Sequence, residues 1–168
     1  MRQPRLFNIR RIRKGEALLF KQVRLMALKE SPEAFSSKYE TTVLRGQQSW
    51  EEQAESAVCG RNRATFFAFD DGNPVGMASF YQKELENLGE LIQVWIAPDY
   101  RGRGFAQQLL NTILEWASNE NFEWAVASVQ KNNVRAINHY LKQGFSDESP
   151  PLQNHNLSNT VILYKSLS

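Results

Sequence analysis

The chain has 168 residues, of which 42% are hydrophobic and 23% charged, and its formal net charge is +2. This suits one globular domain, residues 1–168, with its own core; the near-neutral balance argues against a dedicated nucleic-acid binder and against a highly charged disordered chain. No apolar run approaches the ~20 residues of a membrane span, the N-terminal stretch lacks the apolar core of a signal peptide, and the single cysteine, Cys59, excludes an internal disulfide, so a cytoplasmic location is expected.

Leu6 to Ile12 reads as a first strand, with Phe7, Ile9 and Arg11 on one face. Arg10, Arg11, Arg13 and Lys14 form a basic cluster, which reads either as a solvated edge or as an aid to an anionic ligand. A helix is expected from Gly15 to Lys29, with Leu18, Leu25 and Leu28 on its inner stripe. Ser31-Pro32 ends it, because the residue before proline is pushed out of helical geometry. Ser36 to Gln48 is polar and reads as a loop, with Tyr39 and Trp50 available to line a groove or to pack. Ser49-Trp50-Glu51-Glu52 fits a capping box and predicts a helix to Ala57 with Trp50, Ala54 and Ala57 inward.

Three strands follow. Thr65–Phe69 and Val75–Gln82 flank a turn at Asp-Asp-Gly-Asn-Pro, a hairpin signal. After a turn over Lys83 to Leu88, Gly89–Ala97 completes a meander. Pro98 then ends strand pairing, since it has no N–H to give. Arg101-Gly102-Arg103-Gly104 follows, and an apolar helix starts at once and runs to about Ser118, with Phe105, Leu109 and Ile113 on its buried face. A helix start leaves amides unpaired, glycines let backbone approach a ligand, and two arginines add charge, which together point to phosphate binding. A Walker loop is excluded, because Gly104 is followed by Phe105-Ala106 and not by Lys-Ser or Lys-Thr. A dinucleotide fingerprint fails at Gln107, where a small residue is required.

Trp124 to Val129 reads as a buried central strand joined to the previous one by a parallel crossover. Asn132 and Asn133 favour an N-cap for a helix from Val134 to Gln143 that buries Ala136, Ile137, Tyr140 and Leu141. Gly144 is a natural terminator. Phe145 is expected to start a strand, Asp147 to Asn159 a loop, and Val161 to Leu167 the last strand. No His/Cys cluster with metal-ligand spacing occurs, so no metal is expected.

Two blocks carry a family resemblance: Arg101-Gly102-Arg103-Gly104-Phe105-Ala106 after an apolar strand, and Asn133-x-x-Ala136-x-x-x-Tyr140-x-x-x-Gly144-Phe145 downstream. In this order, with a helix and a strand between them, they resemble the GNAT superfamily of N-acetyltransferases. The resemblance implies a mixed α/β fold. Its mostly antiparallel sheet of six to seven strands is flanked by about four helices, and a parallel pair splays apart at an acetyl-CoA site. It implies that Arg101, Gly102, Arg103, Gly104, Phe105 and Ala106 hold the pyrophosphate. The backbone of Trp95 and Ile96 would pair with the pantetheine arm, and an N–H near Val94 or Trp95 would serve as oxyanion donor. Asn133 would cap its helix and contact the arm. Tyr140 is implied as general acid beside the sulfur and Glu90 as general base; His139 and His155 are further candidate bases. The function implied is acetyl-CoA-dependent transfer to a primary amine, directly within a ternary complex; the alternative is a non-catalytic CoA-binding sensor or assembly module. The partners implied are acetyl-CoA and an amine acceptor, with no nucleic acid or membrane, and a homodimer is common in the family.

Overall fold

Strand alternation organises one sheet with two differently covered faces. The computed structural model describes residues 6–83, 87–148 and 159–168. Among these residues the sheet has six strands: β1 Phe7–Arg11, β2 Arg63–Asp70, β3 Asn73–Gln82, β4 Leu88–Ile96, β5 Trp124–Gln130 and β6 Thr160–Ser166. They lie side by side in chain order. Every neighbouring pair is antiparallel except β4 with β5, which is parallel. The helices are α1 Ala17–Glu30, α2 Tyr39–Thr42, α3 Gln47–Ser56, α4 Phe105–Asn119 and α5 Val134–Lys142.

One face is closed by α4, whose Leu109, Leu110, Ile113, Leu114 and Ala117 meet Ala64, Phe66, Ala78, Phe80 and Leu91 of the strands; Tyr140 of α5 belongs to the same core. The other face is closed by α1 and α3, through Phe20, Val23, Ala27, Trp50 and Ala54 against Phe67, Phe69, Met77 and Trp95. This matches the mixed α/β architecture expected, with six strands and one parallel pair.

Several local expectations are corrected. The inner stripe of α1 is Phe20, Val23, Arg24, Ala27 and Leu28, whereas Leu18 is 66% exposed. A charged residue inside the stripe hides its period. Helix α3 starts three residues earlier than the capping box implies, after Gly46 as N-cap. The Ser49 hydroxyl lies inside the helix and accepts from Arg45, and Gln47–Glu51 and Gln48–Glu52 pair one turn apart. Leu141 is 48% exposed. Phe145 is buried but begins no strand; the chain makes only a bridge at Ser146 opposite Tyr164. Neither Arg10 nor Arg11 is a solvated edge charge. Arg10 pairs with Glu16 at 2.8 Å, and Arg11 donates to the carbonyls of Ala57, Gly60 and Arg63 while lying over Trp116.

Gly89 tests the packing of the face under α4. A Cβ placed there would sit 1.9 Å from the Phe80 ring, which is itself wedged between Trp116 and Phe122. Gly89→Ala is expected to destabilise the chain by about 1–3 kcal/mol, read as a lowered urea midpoint. An unchanged midpoint would mean that Phe80 has room to turn.

Candidate functional site

The parallel ladder between β4 and β5 is short. It runs from Leu88 opposite Trp124 to Leu91 opposite Ala127, and there it stops. β4 nevertheless continues beside β3 as far as Ile96, and β5 beside β6 as far as Gln130. The facing edges, Ile92–Ile96 and Ser128–Gln130, are therefore left without each other. Ser128 and Gln130 are exposed, so the burial of β5 on both faces expected from the sequence ends at Ala127.

A bulge in β4 accompanies the opening. Gln93 has φ 57°, and the register with β3 slips between Met77 and Ser79. The extra residue leaves ladder groups unpaired and re-aims the side chains after it. Leu91 before the bulge and Val94 and Ile96 after it all pack toward α4, while Trp95 packs toward α1. The alternation has shifted by one residue.

Past Ile96 the chain turns through Pro98–Tyr100 into the glycine loop. Gly102 and Gly104 have φ of 73° and 82°, values at which an L side chain is strained. Nothing lies within 4 Å of where a Cβ would stand on either, so the backbone faces open space. Gly104 is the N-cap of α4. The first amide bonding back to the loop is that of Gln108, on the Gly104 carbonyl at 3.1 Å. Phe105, Ala106 and Gln107 thus present N–H groups for which the helix has no acceptor. The two arginines of the loop differ. Arg103 lies over the rings of Tyr100 and Phe105, and Phe105 stacks on Phe7 at 4.3 Å. Arg101 turns back, donating to the Ile96 carbonyl at 2.9 Å and pairing with Glu30 at 2.7 Å.

Glu30, at the last turn of α1, was not singled out from the sequence. Its carboxylate accepts from Arg101, from the Trp95 indole N–H at 2.9 Å and from the Ser31 hydroxyl. Burial works to raise its pKa, but the donors from Arg101, Ser31 and Trp95 prevail and hold it below its usual value.

Glu90 lies one residue before the ladder ends, opposite Val126, and is 8% exposed. It does not stand alone in an apolar cleft. The Tyr81 hydroxyl donates to it at 2.8 Å, and Lys83 pairs with it at 2.7 Å. Burial and the bond to Glu90 push the Tyr81 phenol up. Burial opposes the Lys83 charge, yet its bonds to Glu90 and Tyr81 raise it overall. Tyr81 and Lys83 were also missed; the hairpin register alone would have found Tyr81, which sits directly opposite Glu90.

Tyr140 is 8% exposed, with its ring 5.2 Å from Phe145. Its hydroxyl has no hydrogen-bond partner among the described residues, and burial pushes its pKa up to about 12. Asn133 caps α5, its side chain accepting from the Ala136 amide at 3.2 Å. The His139 ring lies 5.7 Å from Tyr140, with its pKa lowered by burial and then by Lys142. His155 falls outside the described residues. Among the described residues no group of three or more His, Cys, Asp or Glu is placed to hold a metal ion, and no helix is long and apolar enough to cross a membrane.

Comparison with known proteins joins these features to a family. The family model described as "Acetyltransferase (GNAT) family" matches residues 23–145, a span that includes the C-terminal part of α1, the bulged strand, the glycine loop and Tyr140. An uncharacterized N-acetyltransferase of Bacillus subtilis, YobR, is 32% identical over 71 residues, which is 42% of this chain but only 27% of that protein. The chain thus matches only part of that relative's length. Among solved structures, a GNAT-family acetyltransferase of Streptococcus pneumoniae superimposes with a TM-score of 0.78, at 20% identity, over 97% of this chain and 100% of the other. The PaiA N-acetyltransferase of Thermoplasma acidophilum, solved with coenzyme A, does so with a TM-score of 0.74, at 17% identity, over 96% and 99%. With the family model spanning most of its length, this chain belongs to the GNAT acetyltransferase family.

Proposed function

We propose that this chain is an acetyl-CoA-dependent N-acetyltransferase that passes the acetyl group to a primary amine directly, within a ternary complex. The observation that carries the reading is the open ladder with a loop of free amides at its wide end. From Ile92 to Ile96 the bare edge spans about 13 Å at ~3.3 Å per residue. An extended pantetheine arm of about twelve bonds covers roughly 14 Å at the reach of a backbone. An arm anchored by its phosphates at Gly102–Ala106 would therefore bring its sulfur close to the point where the strands meet. The backbone of Val94, Trp95 and Ile96 offers it ladder partners along the way, and the bulge supplies unpaired groups for the thioester oxygen. The charge of Arg103 remains at the loop, while Arg101 supports it through Glu30.

The reaction joins the amine nitrogen to the thioester carbon and breaks the C–S bond. The amine must lose a proton and the sulfur must have its charge met. Glu90, close to the end of the paired ladder, is the group suited to receive the amine proton, through water, with Lys83 and Tyr81 fixing its carboxylate. Tyr140 keeps its phenolic proton at neutral pH and donates it toward the leaving sulfur. An ordinary thiol titrates near 8.5, well below about 12, so the hydrogen bond to the thiolate is the main contribution. Complete transfer gains ground as burial also raises the thiol.

Isothermal titration with acetyl-CoA, with NAD as comparator, tests the cofactor. Micromolar binding of acetyl-CoA alone is expected. Gly104→Val, which places a β-branched residue at φ 82°, is expected to weaken that binding at least tenfold in a folded chain; unchanged affinity would remove the loop from the site. Tyr140→Phe is expected to lower turnover at least tenfold and to leave acetyl-CoA affinity within about twofold. Binding with no thiol release from any amine would instead favour the non-catalytic module.

The phenol also has a pH signature. A folded-state pKa raised above the unfolded value of about 10 gives stability that is fully present below pH 10 and lost as pH rises through about 12. Tyrosinate absorbance should show a late ionisation near pH 12 that Tyr140→Phe removes, and the variant should lose less stability over that window. The same late step in both proteins would show that another tyrosine carries it.

A further inference from the structure

Four buried polar atoms among the described residues have no hydrogen-bond partner: Arg24 Nη1, Arg63 Nε, Trp50 Nε1 and Gln93 Oε1. Arg24 and Trp50 belong to the inner faces of α1 and α3, and Arg63 opens β2. A buried arginine is ordinarily paired. Arg24 is only 6% exposed, yet it makes no hydrogen bond or ion pair among the described residues. Its guanidinium lies over the Phe35 ring at 4.6 Å. Among the described residues the Arg63 guanidinium likewise has only a ring neighbour, Tyr81, at 6.0 Å. Burial and then Arg45 and Arg63 hold the Arg24 pKa down at about 10, and burial lowers that of Arg63, with Tyr81 opposing and Arg45 adding to the effect. Arg45 is anchored separately, on Ser49 and over Trp50. A set of like charges with no counter-ion is a cost to the fold, and a ligand anion would remove it.

The register places this set beside the reaction centre. Arg63 stands opposite Tyr81 on β3, and Tyr81 stands opposite Glu90 on β4. The three side chains share the sheet face under α1, and two strand spacings separate Arg63 from Glu90, about 10 Å. We propose that the guanidiniums of Arg24 and Arg63 form the anion-binding end of the acceptor site, so that the amine acceptor carries a carboxylate several bonds from the nitrogen that is acetylated. Arginine forks suit this role because their planar donors match a carboxylate. Lys83, the cation nearest Glu90, is already committed to it, so the acceptor's anion has Arg24 and Arg63 to meet. A polyamine would bring more positive charge to a face that already has too much. The proposal rests on the acetyltransferase reading given above.

Acetyl-CoA titration is done first, because its failure concerns the cofactor site and not this one. Thiol release is then measured with 6-aminohexanoate, its amide, 1,5-diaminopentane and spermidine, using the full chain. The acid is expected to exceed its amide and both polyamines at least tenfold in kcat/KM, and Arg24→Met and Arg63→Met are expected to abolish that preference with acetyl-CoA affinity unchanged. In a separate readout that needs no turnover, millimolar glutarate should raise the melting temperature of the wild type and not of either variant. Because Arg24→Met removes an unpaired buried charge and Arg63→Met a half-buried one, neither should melt lower than the wild type without ligand. Equal or better turnover of the amide or the polyamines overturns the proposal. So does a glutarate shift that is absent from the wild type or retained in both variants. Variants that melt lower while keeping the wild-type preference would assign the arginines to the fold alone.

Discussion

The interruption between β4 and β5 is the constraint on which the rest of this structure depends. Backbone N–H and C=O groups need partners, and strands that stop pairing in the middle of a sheet would ordinarily close the gap. Here each is held away by its outer neighbour, β4 by β3 through Ile96 and β5 by β6 through Gln130. The bulge at Gln93 adds local twist and sets the side-chain alternation that follows. Above the opening, α4 is fixed by a continuous apolar face, so its first turn stands rigidly at the wide end. The opening proposed for the cofactor is thereby built from backbone, with little demand on side-chain identity along the edge.

Glu30 connects the two halves of the site. It belongs to α1, which covers the face where Glu90 and the unpaired arginines lie, but its donors come from β4 and from the glycine loop. One carboxylate thus ties the face proposed for the acceptor to the loop that is suited to phosphates. Trp95 can reach it only because the bulge turns that residue toward α1. Since Glu30 is held below its ordinary pKa, the stability it contributes is present above the unfolded value and fades as pH falls through the folded one. The tie is an ionic one, and its strength depends on Arg101 remaining in place.

Local chemistry was the legible part of the sequence. Gly102 and Gly104 announce a turn that needs positive φ, Asn133 announces a cap, and Gly144, at φ 90°, announces the end of α5. The meander and the parallel crossover followed from strand and helix patterns, and the flanking helices from the family resemblance. What escaped depends on contacts far apart in the chain. Nothing about a glutamine predicts the left-handed conformation at Gln93. Nothing about Glu30 predicts partners more than sixty residues away. Arg24 did the opposite of signalling: a charge at an inward position broke the apolar period of α1 and drew attention to Leu18, which is exposed. The capping box failed at Ser49 for a related reason, since the two glutamines before it make good helix formers and Gly46 can serve as the cap.

An interrupted sheet also has a bearing on how long the protein lasts. Whatever lies along Ile92–Ile96 supplies partners that the polypeptide itself withholds, and it does so only in the folded state. Occupancy therefore adds to resistance against unfolding in proportion to the logarithm of ligand concentration over its dissociation constant. When the occupant is scarce, the opening is a weak seam through the middle of the molecule, and transient exposure to proteases rises with it. Under the proposed function, the supply of acetyl-CoA then sets the lifetime of the protein as well as its activity.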